Sequence, residues 1–264
     1  MFKFISFGSG SCGNCYYIYT EHDGLLIDVG VGTRSLKKHF GDYGLHMPGG
    51  FSSILVTHDH ADHIKSVGSL SKKLNLPVYA TRLVHSGMDK NYCMKLKLAQ
   101  ASRHYVVKGE AFEASGFHIT PFGVPHDSSD NVGYSIEYEG VVFTLLTDVG
   151  HITEEMKAII RNTDYLVIEA NYDLQMLQNG PYPRHLQERI QCGTGHLSNA
   201  QCGAALVENY TERLKHIWLC HLSEENNHPE LARKSIEQAL SDAGIKVKLD
   251  VLRRKQPTGV FELV

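Results

Sequence analysis

Between Thr57 and Ile64 the chain reads His58-Asp59-His60-Ala61-Asp62-His63, placing three imidazoles and two carboxylates in six consecutive positions. Neutral imidazole nitrogen and carboxylate oxygen hold a divalent cation without consuming its Lewis acidity as several thiolates would. His58 and His60 lie two apart and can point to one side of a tight connection. A turn into a following helix lets Asp62 and His63 face a neighbouring position, so the spacing suits two metals. The competing reading, a solvated polar turn, would make this composition an accident.

Two metals need more ligands than one loop provides. Three further residues each follow an apolar run: His126 after Ile119–Pro125, Asp148 after Val142–Thr147, and His221 after Ile217–Cys220. Taken singly, His126 beside Asp127 reads equally as a surface pair, Asp148 as a turn cap and His221 as a satisfied interior histidine. Their recurrence at strand ends, which are rigid mounts, favours a common purpose. If the ends converge, one metal takes His58, His60 and His126, the other takes Asp62, His63 and His221, and Asp148 bridges them. Two divalent ions less Asp62, Asp148 and a bridging hydroxide leave about one positive charge, a field that attracts phosphate esters. The chain's 16 histidines are the unusual entry in its composition, and this centre accounts for part of them.

The elements that must mount these residues follow from hydrophobic periodicity. Short strands are expected at Met1–Phe7, Tyr16–Tyr19 and Leu25–Asp28. The glycine-rich turn from Gly8 to Asn14 lacks the spacing of a nucleotide-binding loop. Phe51–Thr57 reads as a buried strand, followed by a helix with an inward stripe of Ile64, Val67, Leu70 and Leu74 that Asn75 and Pro77 stop. Val78–Ala80 then completes a β-α-β unit with parallel pairing. Phe117–Phe122, Gly133–Tyr138 and Val141–Leu146 read as strands, the last two joined at Glu139-Gly140 as a hairpin. Thr153 caps a helix carrying Met156, Ile159 and Ile160, and Tyr165–Glu169 is a further buried strand.

From Asn171 to Gly195 the pattern is irregular around a short helix near His185–Ile190 and reads as a surface insertion that shapes substrate access; within it, Asn171–Ile190 reads equally as an active-site wall or as a contact with another subunit. Ser198 and Gln201 form a capping box ahead of a helix, and His216–Cys220 follows as a strand, giving a second β-α-β unit. A helix over Pro229–Ala243 and strands near Lys246–Leu252 and Gly259–Leu263 close the pattern. Mixed strands with helices in both halves predict an α/β fold in one domain, 1–264, with helices packed outside the sheets.

These motifs carry a family resemblance. The H-x-H-x-D-H run at His58–His63, with Asp28 ending Leu25–Ile27, resembles the metallo-β-lactamase fold superfamily across most of the chain. The resemblance implies a four-layer αββα sandwich, carries His126, Asp148 and His221 over as the remaining ligands, and gives Asp28 a role in supporting the metal loop. The absence of a cysteine ligand resembles the binuclear hydrolase and nuclease branch rather than the lactamases. Gly10-Ser11-Cys12-Gly13-Asn14-Cys15, Asp148-Val149-Gly150, Glu169-Ala170-Asn171, Gly195-His196-Leu197-Ser198-Asn199 and His221-Leu222-Ser223 are similar to the WalJ (YycJ) type of bacterial protein. That type is associated with 5′ exonuclease activity on DNA. Tyr172 departs from the histidine often found there, leaving the role of its loop open.

The expected enzyme is therefore a divalent-metal phosphodiesterase, a 5′ to 3′ DNA exonuclease with a metal-bridging hydroxide as nucleophile. Zn, Mn and Fe all suit the ligand set. Asp62, Asp148 and His196 are the expected catalytic residues, with His196 binding the scissile phosphate or protonating the leaving oxygen; its alternative is a structural turn. DNA is the expected substrate and RNA a second candidate. A small-molecule phosphodiesterase, a thioester hydrolase and a non-catalytic metal-dependent binding protein are the alternatives.

The 26 basic and 29 acidic residues exclude a strongly basic binding module, so any nucleic-acid track must be local. Lys90, Lys95, Lys97, Arg103 and Lys108, with Tyr92 and Tyr105 among them, form one candidate track and Arg253-Arg254-Lys255 another; both read equally as solvated faces. No run approaches the roughly 20 apolar residues of a membrane span, and the cytosol is the expected location, with no membrane partner and self-association left open. Cys12 and Cys15 have redox-pair or zinc-knuckle spacing, but no second closely spaced cysteine pair follows, and a structural role is expected.

Overall fold

Alternation along the first strands sorts side chains into two apolar layers, because successive residues of a strand face opposite sides. In the computed structural model, which describes residues 1–47 and 49–264, Phe2 and Phe4 face one layer while Ile5 and Phe7 face another; Leu25 and Ile27 likewise oppose Leu26. The strands are β1 (Phe2–Gly8), β2 (Cys15–Tyr19), β3 (Gly24–Ile27), β4 (Ser53–Leu55), β5 (Val78–Ala80) and β6 (Arg103–Tyr105), then β7 (Phe112–Ala114), β8 (Phe117–Gly123), β9 (Val132–Tyr138) and β10 (Val141–Leu146). The series ends with β11 (Tyr165–Glu169), β12 (His216–Cys220), β13 (Lys248–Val251) and β14 (Phe261–Leu263).

They form two sheets of seven, ordered β14-β1-β2-β3-β4-β5-β6 and β13-β12-β11-β10-β9-β8-β7. Each sheet has an antiparallel part and a parallel part, β3 to β6 in the first and β10 to β13 in the second. The parallel parts matter for function, because open parallel strands present ligand-binding loops beyond their carboxyl ends.

Between the sheets lies a core including Phe4, Tyr16, Phe117, Tyr134, Phe143 and Trp218. Phe4 meets Phe143 and Trp218 at ring-centroid distances of 5.0 Å each, spacings suited to tilted aromatic pairs. Helices cover the outer faces. α1 (Thr33–Asp42), α2 (Ala61–Ile64), α3 (Val67–Leu74) and α4 (Arg82–Lys90) belong to the first half of the chain, and Leu36, Phe40, Ile64, Val67, Leu70, Val84 and Met88 join the outer core of the first sheet. α5 (Glu154–Arg161), α8 (Asn199–Asn209) and α9 (Pro229–Asp242) supply Met156, Ile160, Leu206, Ile236 and Leu240 to the second sheet's outer core. Between β11 and α8, α6 (Leu174–Asn179) and α7 (Arg184–Gln191) share a small cluster of Tyr172, Leu177 and Ile190. The result is the αββα sandwich.

Local expectations meet local structure at most positions. Both β-α-β units pair in parallel, and the β9–β10 hairpin turns through Glu139 and Gly140 at φ 51° and 81°, the twist that a two-residue hairpin needs. Thr153 accepts from the Met156 amide, and Ser198 with Gln201 forms the reciprocal capping box. The expected helix after the metal loop is broken, however. α2 ends at Ile64 and α3 begins at Val67, because the Ser66 amide donates to Val29 and the Val29 amide to His63, pinning the chain across β3. Periodicity did not reveal α1, α4, α6, β6 or β7. Cys15 is buried, Cys12 is exposed, and neither is bonded, so the C-x-x-C spacing forms neither a disulfide nor a metal knuckle among the described residues. No helix among the described residues is long and apolar enough to cross a membrane.

Candidate metal centre

Every residue of the centre leaves from the carboxyl end of a strand. β4 leads into Thr57 and the His58–His63 loop, β8 into His126, β10 into Asp148 and β12 into His221. The loop is fastened from beneath: the Asn14 amide donates to the Asp62 carbonyl at 2.7 Å and the Gly30 amide to the Asn14 carbonyl at 2.8 Å. Gly30 is required here, since a β-carbon on it would stand 1.6 Å from the Asp62 carbonyl oxygen. The Gly8–Asn14 turn therefore serves as a clamp, with Asn14 Nδ2 also 2.9 Å from His63 Nε2.

The structure gathers all seven expected donors. His58, His60 and His126 form one cluster and Asp62, His63 and His221 another; within each, one ligand atom per residue lies within 4.8 Å of the others. Asp148 faces both clusters, its carboxylate oxygens 3.6 Å from His126 Nε2 and 3.2 Å from His63 Nε2. His126 is no surface residue, its side chain being 1% exposed.

The outward nitrogen of each imidazole is held by the protein. His58 Nδ1 lies 3.0 Å from Thr57 Oγ1, His60 Nε2 3.2 Å from the Asp127 carbonyl and His63 Nδ1 2.7 Å from Asp28. His126 Nδ1 lies 2.9 Å from the Gly195 carbonyl and His221 Nδ1 2.9 Å from Glu169. Such partners fix tautomer and ring direction, leaving the other nitrogen for an ion. The inward nitrogen of His58 is buried without any hydrogen-bond partner, a costly arrangement that a cation would relieve. The donor set fits two divalent ions of the borderline class, and these clusters form a binuclear site.

The electrostatics agree. Burial disfavours charge at Asp62 and Asp148, but the surrounding imidazoles outweigh it and hold both carboxyls well below the usual range. Burial, reinforced by neighbouring His63, pushes His58 down; burial also lowers His126. Burial opposes charge at His63 and His221 too, yet Asp148 and other carboxylates overcome it, raising His63 well and His221 to about 10.

Two buried carboxylates organise the surroundings. Asp28, just past β3, accepts from the Thr57 amide and hydroxyl at 2.9 and 2.8 Å as well as contacting His63. Glu169, closing β11, accepts from the Val149 and Leu197 amides at 2.9 and 3.1 Å and contacts His196 and His221. Despite burial, the charge on His196 draws Glu169 down to about 2. Burial lowers His196, but Glu169, 2.8 Å away, outweighs it and raises that ring. The sequence shows Glu169 within the Glu169-Ala170-Asn171 motif without giving it a role, although an acid ending an apolar strand, as Asp28 does, was the available signal. Asp28, Asp148 and His221 all sit in left-handed backbone, at φ 58°, 54° and 53°. This conformation is uncommon outside glycine and clusters at functional sites.

The model of the beta-lactamase superfamily domain matches residues 25–217. The chain belongs to the metallo-β-lactamase superfamily. It is 34% identical to exodeoxyribonuclease YycJ of Bacillus anthracis over 90% of this chain and 89% of that protein. It is 33% identical to exodeoxyribonuclease WalJ of Streptococcus pneumoniae over 94% of this chain and 92% of that protein. Zn(2+)-bound PqqB of Methylobacterium extorquens shares the superfamily fold, with a TM-score of 0.75 at 18% identity over 99% of this chain and 100% of that one. Within this superfamily the chain is a binuclear, divalent-metal-dependent hydrolase.

Beside the centre lies a cavity of about 260 Å³, whose lining includes His196 and His221 together with Tyr182, Arg189 and Ile190. The Asn171–Gly195 segment is thus a wall of the site. The expected basic track fares differently. Arg103 pairs with Asp89, Lys108 with Asp130 beyond β8, and Lys97 donates to the Met88 and Asn91 carbonyls, so three of its five cations have partners within the protein. Tyr105 is covered by the Arg82 guanidinium 4.5 Å above its ring. Tyr92 remains 90% exposed, between Lys90 and Lys95. In the second track, Arg254 donates to the Ser223 carbonyl and Lys255 pairs with Glu224.

Proposed function

We propose that this enzyme hydrolyses DNA phosphodiester bonds, removing nucleotides from the 5′ end. The observation that carries the reading is the convergence of His58, His60, Asp62, His63, His126, Asp148 and His221 on one centre beside a cavity, in a chain similar over most of its length to two exodeoxyribonucleases. One ion would be held by His58, His60 and His126, the other by Asp62, His63 and His221, with Asp148 shared. When bound, two divalent ions supply Lewis acidity, lower the pKa of water and neutralise charge on a phosphoryl group.

The chain's own residues do the rest. Asp28 and Glu169 keep His63 and His221 aimed inward through their Nδ1 atoms. His196 has Nδ1 committed to Glu169, which leaves Nε2 to meet a substrate oxygen. Because Glu169 favours the protonated ring, His196 is suited to give a proton to the departing 3′ oxygen.

The test is metal analysis followed by parallel incubation with end-labelled duplex DNA, single-stranded DNA, RNA and bis(p-nitrophenyl) phosphate, with and without chelator. Chelator-sensitive release of mononucleotides from the 5′ end of DNA is the expected outcome. Turnover of the small diester alone would overturn the reading in favour of a small-molecule phosphodiesterase.

A further inference from the structure

His126 is the donor of the first cluster that does not come from the metal loop, and among the described residues neither Asp28 nor Glu169 hydrogen-bonds the segment that carries it. That segment, residues 126–131 between β8 and β9, is tied to the rest of the cluster at three other points. The Asp127 carbonyl meets His60 Nε2 at 3.2 Å. The Ser129 amide and hydroxyl donate to the Asp59 carboxylate at 3.0 and 2.8 Å. Asn131 Nδ2 donates to the Asp148 carbonyl at 2.8 Å. One short loop thus carries one ligand and touches the mounts of three others.

Asp59 lies between His58 and His60 in the chain and belongs to neither ligand cluster. Its place is shaped for the contact with Ser129. α4 packs so closely that a β-carbon on Gly87 would stand 2.1 Å from Asp59 Oδ2 and 2.6 Å from Ser129 Oγ, and Asn91, just past α4, donates to the Asp59 carbonyl at 2.8 Å. Side chain and backbone of Asp59 are both held, and with them the directions in which the imidazoles on either side leave the chain.

Asn131 holds the other end. It is 2% exposed, and its Oδ1 is buried without a hydrogen-bond partner, a cost set against the one side-chain bond that Nδ2 makes. That bond fixes the peptide of Asp148, whose left-handed backbone at φ 54° is unfavourable for a residue with a β-carbon.

We propose that Asp59 and Asn131 are positioning residues for one of the two ions, the one assigned to His58, His60 and His126, and that they act by locking the 126–131 loop onto the metal loop and onto Asp148. This role rests on the ligand partition given above and not on which phosphodiester the enzyme cleaves.

The experiment follows zinc release from the full-length, zinc-loaded protein to a chromophoric chelator, which resolves the affinities of the two ions. Asp59→Ala and Asn131→Ala each weaken one ion by about tenfold, the lower end of the range for outer partners of metal ligands, and leave the other within about twofold. Asp59→Asn, which keeps an oxygen acceptor in the same shape, recovers most of the loss. Gly87→Ala, which displaces the Asp59 carboxylate from Ser129 without altering either residue, reproduces the loss from the helix side and serves where a direct variant does not fold. The affected ion is identified by background: Asp59→Ala adds its full loss in a His221→Ala protein, where the first cluster is intact, and adds none in a His60→Ala protein. Melting temperatures in excess zinc close to the wild-type value show that each variant is folded.

Equal weakening of both ions in a folded Asp59→Ala protein would overturn the proposal, as would a loss undiminished by His60→Ala. Unchanged affinity for both ions would overturn it as well, reducing the two residues to ordinary loop contacts. Failure to hydrolyse DNA bears only on the nuclease reading and leaves the zinc measurements to decide this one.

Discussion

The two halves of the metal centre are built differently. In the first sheet four donors come from one loop, whose fold is local: the His63 and Ile64 amides both return to the His60 carbonyl. Asp28 straps that loop through two adjoining points, Thr57 and His63. In the second sheet the donors come singly from β8, β10 and β12, and Glu169 contacts Val149, His196, Leu197 and His221, residues far apart in the chain. A local loop is held by one carboxylate strap and the Asn14 clamp, whereas dispersed donors depend on a hub. The hub is therefore expected to matter more.

The largest effect tests the centre that both halves share. Chelation abolishes hydrolysis and added divalent ion restores it; Asp148→Ala, which removes the carboxylate facing both clusters, lowers kcat/KM by about 10³-fold or more. A loss under about tenfold would show that the two clusters do not act together.

The comparison itself is tested by Glu169→Gln against Asp28→Asn. Removing an outer partner of a ligand costs about 10–100-fold in metal affinity, and Glu169→Gln is placed at the top of that range with Asp28→Asn at the bottom. Competition with a chromophoric chelator measures both; equal losses would end the distinction between strap and hub.

A smaller effect is expected at the clamp. Gly30→Ala forces a β-carbon into the space of the Asp62 carbonyl and lowers unfolding free energy by about 1–3 kcal/mol, read in a denaturant melt. Its metal loss falls first on the Asp62, His63 and His221 cluster, because Asp62 is what the clamp holds. Smallest is Ser198→Ala, which removes the cap of α8 at about 1 kcal/mol and leaves metal content unchanged. A loss of ions there would mean that the His196–Ser198 turn supports the centre more than its hydrogen bonds to Glu169 suggest.

How much was legible follows from the same contrast. The His58–His63 loop was readable because its donors are sequence neighbours, and their types alone specify a divalent cation. His126, Asp148 and His221 were readable only as a recurrence at strand ends, each with an ordinary alternative. Glu169 was visible in a motif and at a strand end but carried no role there, because the contacts that make it a hub, with Val149, His196, Leu197 and His221, come from other segments. The basic run from Lys90 to Lys108 was legible as charge alone, since the partners of Arg103 and Lys108, Asp89 and Asp130, are fixed only by the fold.

By itself the sequence determined most of the strands, the helices beginning at Thr153 and Ser198 with their caps, and the chemistry of the metal loop, all set by side-chain type and by contacts within a few residues. Only the tertiary structure decided that the ends of β4, β8, β10 and β12 meet around one centre, that Asp28 and Glu169 orient it, and that Tyr182 and Arg189 wall its cavity. Convergence of that kind depends on how two sheets pack across a shared core, and no stretch of chain contains that information alone.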